Sequence, residues 1–580
     1  MNVTPLGPRR AKRNTAKQNS EKINTEKISS EKISIGVMLL LGVFFTILTV
    51  AVSYWPALVF RPANTTGQTQ IYYMGRLHEE SGHYEQGIAY LPLTVLKECI
   101  DPAIYWDVKN KLVIVTTGED LYHFPLNSKA ARQNLETYEI NYPLIQKEHD
   151  IYLPVELVEK LYDVTICENK TESVMTISDK RLPVQQGRVI NTGKLRVKPN
   201  LRAAWSAQVE AAEEVSIFTD ENGWYWIETL NGTIGYIPKS NVNLSGISKR
   251  TNNNAEAFKP WNPSGEQILL TWEFVGSKTV NPAGIGELGS VDVLSPTWFW
   301  LEENGIVSAK ADLRYVQWAH QQGRQVWGVF SNNCRIDLTH TFLNDSLYRT
   351  KAIEQLLDYL DRYQLDGLDV DFEYMYLEDK EHYVQFVREL APLLHARGKV
   401  LNLSIIFHSS SENWSMCYDH KKLGEIADYL TVMAYDENTA LAGSTASLPW
   451  VQSGLERMIE DVPSEKLLLG IPLYTRLWKV ATDAEGKEET TRQTFTMDQA
   501  EKWMAENKTG IIEDPQSGQH YVEITADSVK YRMWLEDAYS IEKRVELMKK
   551  YRLAGLAVWR RGLEKEGVWT DLSGLLNKRW

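Results

Sequence analysis

Asp369, Asp371 and Glu373 stand at alternate positions of the segment Asp366-Gly367-Leu368-Asp369-Val370-Asp371-Phe372-Glu373. Side chains on an extended strand alternate between faces, so the three carboxyls share one face and Leu368, Val370 and Phe372 share the other. Inside a fold, mutual repulsion and poor solvation raise the pKa values of such a set, and at least one group keeps its proton near neutrality. That group can protonate a leaving oxygen and later take a proton from water. A solvated acidic edge strand or a calcium site would use the same residue types. The apolar alternation on the other face favours burial over both.

The elements around this strand form a series. From about Gln267 onwards, strand-like runs alternate with amphipathic stretches: ILLTWEFV, VDVLSPTWFW, QVWGVFSN, GLDVDFEY, VLNLSIIF, YLTVMAYDE, KLLLGIPLY and GLAVWR. KAIEQLLDYLDRYQ and IEKRVELMKKYR are two of the helical segments between them. Eight strands alternating with helices predict an α/β chain whose C-terminal part, residues 265–580, is a (β/α)8 TIM barrel. The acidic face then points into the lumen, and functional groups gather at the C-terminal ends of the strands. Met433, Tyr435 and Asp436 end the sixth strand, and Trp559 ends the last, where a core tryptophan is the alternative. Trp298, Asn332, Tyr474 and Arg476 also sit at strand ends; each either lines a cleft or braces the core. Asp366 serves either the site or the loop entering its strand.

The segment DGLDVDFE matches the signature of glycoside hydrolase family 18, the chitinases and endo-N-acetylglucosaminidases. The resemblance extends along the barrel through MAYDE and AVWR. It is closest to bacterial wall- and spore-cortex-lytic N-acetylglucosaminidases, with which VLSPTWF and PLYTRLW are shared in kind. It implies substrate-assisted hydrolysis in which no protein carboxylate is the nucleophile. It also implies roles. Glu373 would protonate the glycosidic oxygen, Asp371 would orient the substrate's acetamido group, and Asp369 would share a proton with Asp371. Tyr435 would hold the acetamido group, and Trp559 would floor the sugar pocket. Residues 477–533 would form the small α+β insertion that walls the cleft in many members. No metal or organic cofactor is implied.

Ahead of the barrel the chain carries smaller pieces. YLPLTVLKECIDPAIYWDVKNKLVIVTT, from Tyr90, is answered by YLPVELVEKLYDVTICENKTESVMTIS, from Tyr152. Each copy predicts a short helix followed by a hairpin. Residues 66–180 thus form an α+β repeat domain that resembles the copper amine oxidase N-terminal domain, read here as a spacer or wall-interaction module without copper chemistry. Residues 185–245, with Trp224, Trp226, Gly235 and Tyr236, resemble a bacterial Src-homology-3 barrel, which implies wall-peptide binding; a small all-β barrel with only a core function is the alternative. A linker follows over 246–264.

Residues 33–55 are almost continuously apolar, long enough to cross a bilayer as a helix. Arg9, Arg10, Lys12, Arg13 and Lys17 precede them, which puts the N-terminus in the cytoplasm and the rest outside. A cleaved signal peptide is the alternative, although no Ala-x-Ala site follows. Residues 1–32 are polar and predict a disordered tail.

The 580-residue chain has a net charge of −13, which argues against nucleic acid as a partner. Its 19 Trp and 28 Tyr suit either core packing or stacking on sugar rings. A polysaccharide and the membrane are the expected partners. The four cysteines lack metal-ligand spacing, and Cys99 and Cys167 either bridge or stay free.

Overall fold

The computed structural model describes residues 22–59, 68–147, 149–248, 258–263, 267–482 and 487–577. The chain forms two compact units, residues 1–95 with 154–252, and residues 96–153 with 253–580. The segment 66–180, expected as one domain, is therefore divided between them. Both copies of its repeat have the expected local form. Ile88–Pro92, the helix Leu93–Cys99 and the hairpin Tyr105–Asp107 and Leu112–Thr116 make the first. Asp150–Pro154, the helix Val155–Leu161 and the hairpin Val164–Asn169 and Val174–Asp179 make the second. All four cysteines are free thiols.

In the first unit a helix runs over Lys22–Leu58, and its stretch Gly36–Ala57 has a mean hydropathy of 2.4 with none of its residues buried. The helix begins inside the segment expected to be disordered. Lys and Glu are good helix formers, and adding a turn to an existing helix costs far less than nucleating one. The remainder of that tail, residues 1–21, lies outside the described residues, as does most of the expected linker. Residues 185–247 form a seven-stranded antiparallel sheet around Val189, Leu195, Val209, Val215, Ile217, Ile227, Ile237 and Val242. Gly235 is required there, because a Cβ would lie 2.6 Å from that of Leu195.

In the second unit eight parallel strands close on themselves: Ile268–Glu273, Val293–Leu301, Gln325–Ser331, Gly367–Asp371, Val400–Ile405, Tyr429–Met433, Leu467–Pro472 and Gly555–Trp559. They are the eight strand-like runs of the sequence, in order. Leu368, Val370 and Phe372 on the fourth strand are fully buried on the helix side. The Phe372 ring lies 5.1 Å from that of Phe330 and 5.8 Å from that of Phe386 on the helix Lys380–His395. Between the seventh and eighth strands, Tyr474–Thr482, Glu488–Thr496, Ile512–Asp514, Gln519–Ala526 and Val529–Trp534 form a five-stranded sheet with the helix Met497–Asn507. This is the α+β insertion.

The first repeat hairpin also belongs to this unit. Leu112, Ile114 and Leu121 join the barrel's own hydrophobic core. Asp107 accepts from the Ser346 backbone N–H at 3.0 Å, and Lys109 Nζ donates to Asp345 at 2.7 Å. Both partners stand at the start of the helix Ser346–Tyr363, whose N-cap is Asp345.

Candidate active site

The fourth strand delivers its three carboxyls to graded environments. Asp369 is the deepest and fully buried. Its Oδ2 accepts from Trp272 Nε1 at 3.0 Å and Ser295 Oγ at 3.0 Å; its Oδ1 accepts from Asn402 Nδ2 at 2.8 Å and Ser404 Oγ at 2.9 Å. Burial pushes its pKa up and these four donors hold it back. Three other barrel strands, the first, second and fifth, supply them. The pattern is legible afterwards: Asn402 and Ser404 are polar residues at alternate positions of an otherwise apolar run.

Asp371 comes next. Burial lifts its pKa far above the ordinary carboxylate range, and the charges of Glu373 and Asp369 add to the rise. Its Oδ1 is buried with no hydrogen-bond partner among the described residues. Glu373 is outermost. Its pKa is pushed up to about 7, first by burial and then by Asp436. The strand thus presents a carboxyl held by four donors, a buried carboxyl with an unpartnered oxygen and a raised pKa, and an acid balanced near neutrality.

Tyr435 faces this set. Its hydroxyl is buried without a partner among the described residues. Burial raises its pKa, and Tyr474, Asp371, Glu373 and Asp436 contribute in that order. Asp436 has a left-handed backbone with φ of 64°. It accepts from the Tyr474 hydroxyl and from Arg476 Nη2, while Arg476 Nη1 donates to the Asn438 carbonyl at 2.5 Å. Met433 ends its strand, buried, on the same face as Tyr435. Trp559 is partly exposed and stands edge-on to Trp272, with ring centroids 5.6 Å apart.

Two expected site residues lie elsewhere. Trp298 is fully buried, with its ring 5.5 Å from that of Tyr315 on the helix Leu313–Gln321 and its Nε1 bonded to Thr279. Ser295 takes the inward position on this strand, and Trp298, an odd number of residues on, faces the helices. Asp366 precedes its strand, seven residues before Glu373 and so roughly 20 Å from it along an extended chain. There it accepts from the Val326 N–H at 2.8 Å and pairs with His320 at 2.7 Å. It braces the opposite end of the barrel.

Sequence reasoning left the role of Asn332 open and did not single out Tyr418. Asn332 bonds the main chain of Glu373, and Tyr418 donates to the Phe372 carbonyl at 2.6 Å. Among the described residues no group of three or more His, Cys, Asp or Glu is arranged to ligate a metal ion.

Residues 340–564 match the model of the glycosyl hydrolases family 18, and residues 77–185 match that of the copper amine oxidase N-terminal domain. The chain is 25% identical over 291 residues to the "Uncharacterized glycosylase YvbX" of Bacillus subtilis (strain 168), covering 48% of this chain and 83% of that one. It is 27% identical over 247 residues to the cortical fragment-lytic enzyme of the same organism, covering 42% of this chain and 57% of that protein. The chain thus spans little more than half the length of that second relative. A solved chitinase from Chromobacterium violaceum ATCC 12472 superposes with a TM-score of 0.47 at 22% identity, over 54% of this chain and all of the other.

Proposed function

We propose that this chain, whose barrel is a glycoside hydrolase family 18 domain, cleaves peptidoglycan beside N-acetylglucosamine from the outer face of a membrane. The observation that carries the reading is Glu373, with its pKa pushed up to about 7, beside the buried Asp371, whose Oδ1 has no partner among the described residues, and a Tyr435 hydroxyl likewise unpartnered among them.

The reaction runs in two steps. Glu373 gives its proton to the glycosidic oxygen as the bond to the anomeric carbon breaks. The carbonyl oxygen of the substrate's own acetamido group attacks that carbon and forms an oxazolinium ion. Asp371 binds the acetamido N–H and stabilises the positive charge, and Tyr435 donates its hydroxyl to the same group. Glu373, now ionised, takes a proton from water, whose oxygen opens the ring with retention. Asp369 sets the proton balance of Asp371. Trp559 floors the sugar pocket, and Asp436, Met433, Tyr474 and Arg476 shape its wall.

Three features support the wall as substrate. One relative is named a cortical fragment-lytic enzyme. The helix over Gly36–Ala57 is long and apolar enough to anchor the chain, N-terminus inside. The Src-homology-3 resemblance of residues 185–245 fits a wall-peptide partner. Purified peptidoglycan is digested with the full-length chain in detergent and with its Glu373→Gln variant, and released muropeptides are identified by mass. New reducing ends at N-acetylglucosamine with the native chain alone are expected. Equal release by both proteins rules the mechanism out, and activity on chitin alone rules out the substrate.

A further inference from the structure

Glu373 lies two residues beyond the end of its own strand. The ladder between the third and fourth strands stops at the pair Ser331 and Asp371. Beyond it, the main chain of Glu373 is held by a side chain: Asn332 Oδ1 accepts from the Glu373 N–H at 3.0 Å, and Asn332 Nδ2 donates to the Glu373 carbonyl at 2.8 Å. A carboxamide carries an acceptor and donors as a peptide unit does, so it can bond one residue through both main-chain groups. We propose that Asn332 is the positioning residue of the catalytic acid, extending the barrel ladder to fix where the Glu373 carboxyl points. The inference rests on Glu373 being the acid.

The amide is saturated and its orientation is set by its partners. Nδ2 also donates to Thr339 Oγ1 at 2.8 Å, and Oδ1 also accepts from the Cys334 N–H at 3.1 Å. The Thr339 hydroxyl hydrogen is spent on the Arg335 carbonyl at 2.9 Å, so its oxygen is left to accept. The N–H groups of Cys334 and Glu373 can only donate. A flipped amide would set donor against donor at the Glu373 and Cys334 N–H groups, and acceptor against acceptor at the Glu373 carbonyl and Thr339 Oγ1. Asn332 is fully buried, so none of these groups could turn to water instead.

The surrounding chain is shaped for this contact. Asn333 and Cys334 are left-handed, with φ of 51° and 54°. Such backbone is sterically disfavoured and persists where neighbours hold it. The bond from Cys334 to Asn332 does so. On the other side, the Tyr418 hydroxyl holds the Phe372 carbonyl at 2.6 Å. The segment bearing the acid is thus gripped from both flanks beyond the sheet, by two side chains that the ladder itself does not supply.

The test uses the full-length chain in detergent with a soluble N-acetylated oligosaccharide, Glu373→Gln serving as the reference for the acid. Asn332→Ala is expected to lower kcat on the order of 10²-fold, the scale of an ångström's misplacement, with KM changed less than about twofold. Water reaching a loosened Glu373 lowers its pKa, so the alkaline limb of the kcat profile moves to lower pH. A merely structural role would lower the melting temperature and leave that limb in place. If Asn332→Ala does not fold, Asn332→Asp carries the test: it has the same size, keeps both acceptor contacts and loses both donors, and is expected to lose about tenfold or more in kcat. The inference is overturned if Glu373→Gln is inactive while the Asn332 variants keep native kcat and pH profile. An active Glu373→Gln overturns it together with the reading it rests on.

Discussion

The indole of Trp272 on the first barrel strand reaches Asp369 on the fourth, donating from Nε1 to Oδ2 at 3.0 Å. It is one of four donors that make a buried carboxyl tolerable behind two others. Trp272→Phe keeps the aromatic packing on Trp559 and removes only that N–H. Asp369 then rises further in pKa, and stability falls by about 1–3 kcal/mol. Urea unfolding at neutral pH measures the loss; an unchanged midpoint contradicts it.

Asp436 is expected to tune the working pH through Glu373. Its negative charge is the second cause, after burial, of the rise that brings Glu373 to about 7. A general acid must be protonated, so activity falls as pH rises through that value. Asp436→Asn removes the charge, lowers the Glu373 pKa and moves the alkaline limb of kcat/KM to lower pH. A limb that stays put, or moves up, refutes the electrostatic account.

Arg349 and Glu389 form a fully buried ion pair, with Nη2 to Oε1 at 2.7 Å. Arg349→Met leaves the Glu389 charge buried with, among the described residues, Gln385 still donating to it at 3.0 Å. The cost expected is about 3–5 kcal/mol. It appears as a lower melting temperature, and a loss under about 1 kcal/mol contradicts the role given to the pair.

The first repeat hairpin is structural to the barrel. Ile114 is fully buried in the same core as the barrel strands. Ile114→Ala therefore destabilises the catalytic unit by about 2–5 kcal/mol, although it lies more than 150 positions ahead of the first barrel strand. Residual glycosidase activity after graded heating reports it. Native heat resistance in the variant would show the hairpin to be dispensable.

Much of the architecture was legible because burial on two faces writes a simple pattern. Leu368, Val370 and Phe372 had to pack outward, which left Asp369, Asp371 and Glu373 facing the lumen. All eight strands follow the same apolar logic, and both repeat copies show their helix and hairpin. The missed features depend on distance rather than period. No local pattern says that Leu112 and Ile114 join a core formed far downstream, or that a repeat of 66–180 is shared by two units. Standing near a strand end does not say which way a side chain faces: a single odd step turns Trp298 from lumen to helix layer, and Asp366 sits at the entrance of its strand rather than its exit. The grip of Asn332 on Glu373 arises where the ladder has stopped and no strand pattern remains.

Substrate-assisted cleavage requires the substrate's own acetamido group as a reactant. The direct measurement is the rate on two defined oligosaccharides that differ only in N-acetylation of the sugar before the scissile bond, with the native chain and Glu373→Gln. Cleavage of the acetylated one alone, abolished in the variant, is predicted. Equal cleavage of the deacetylated one would contradict it.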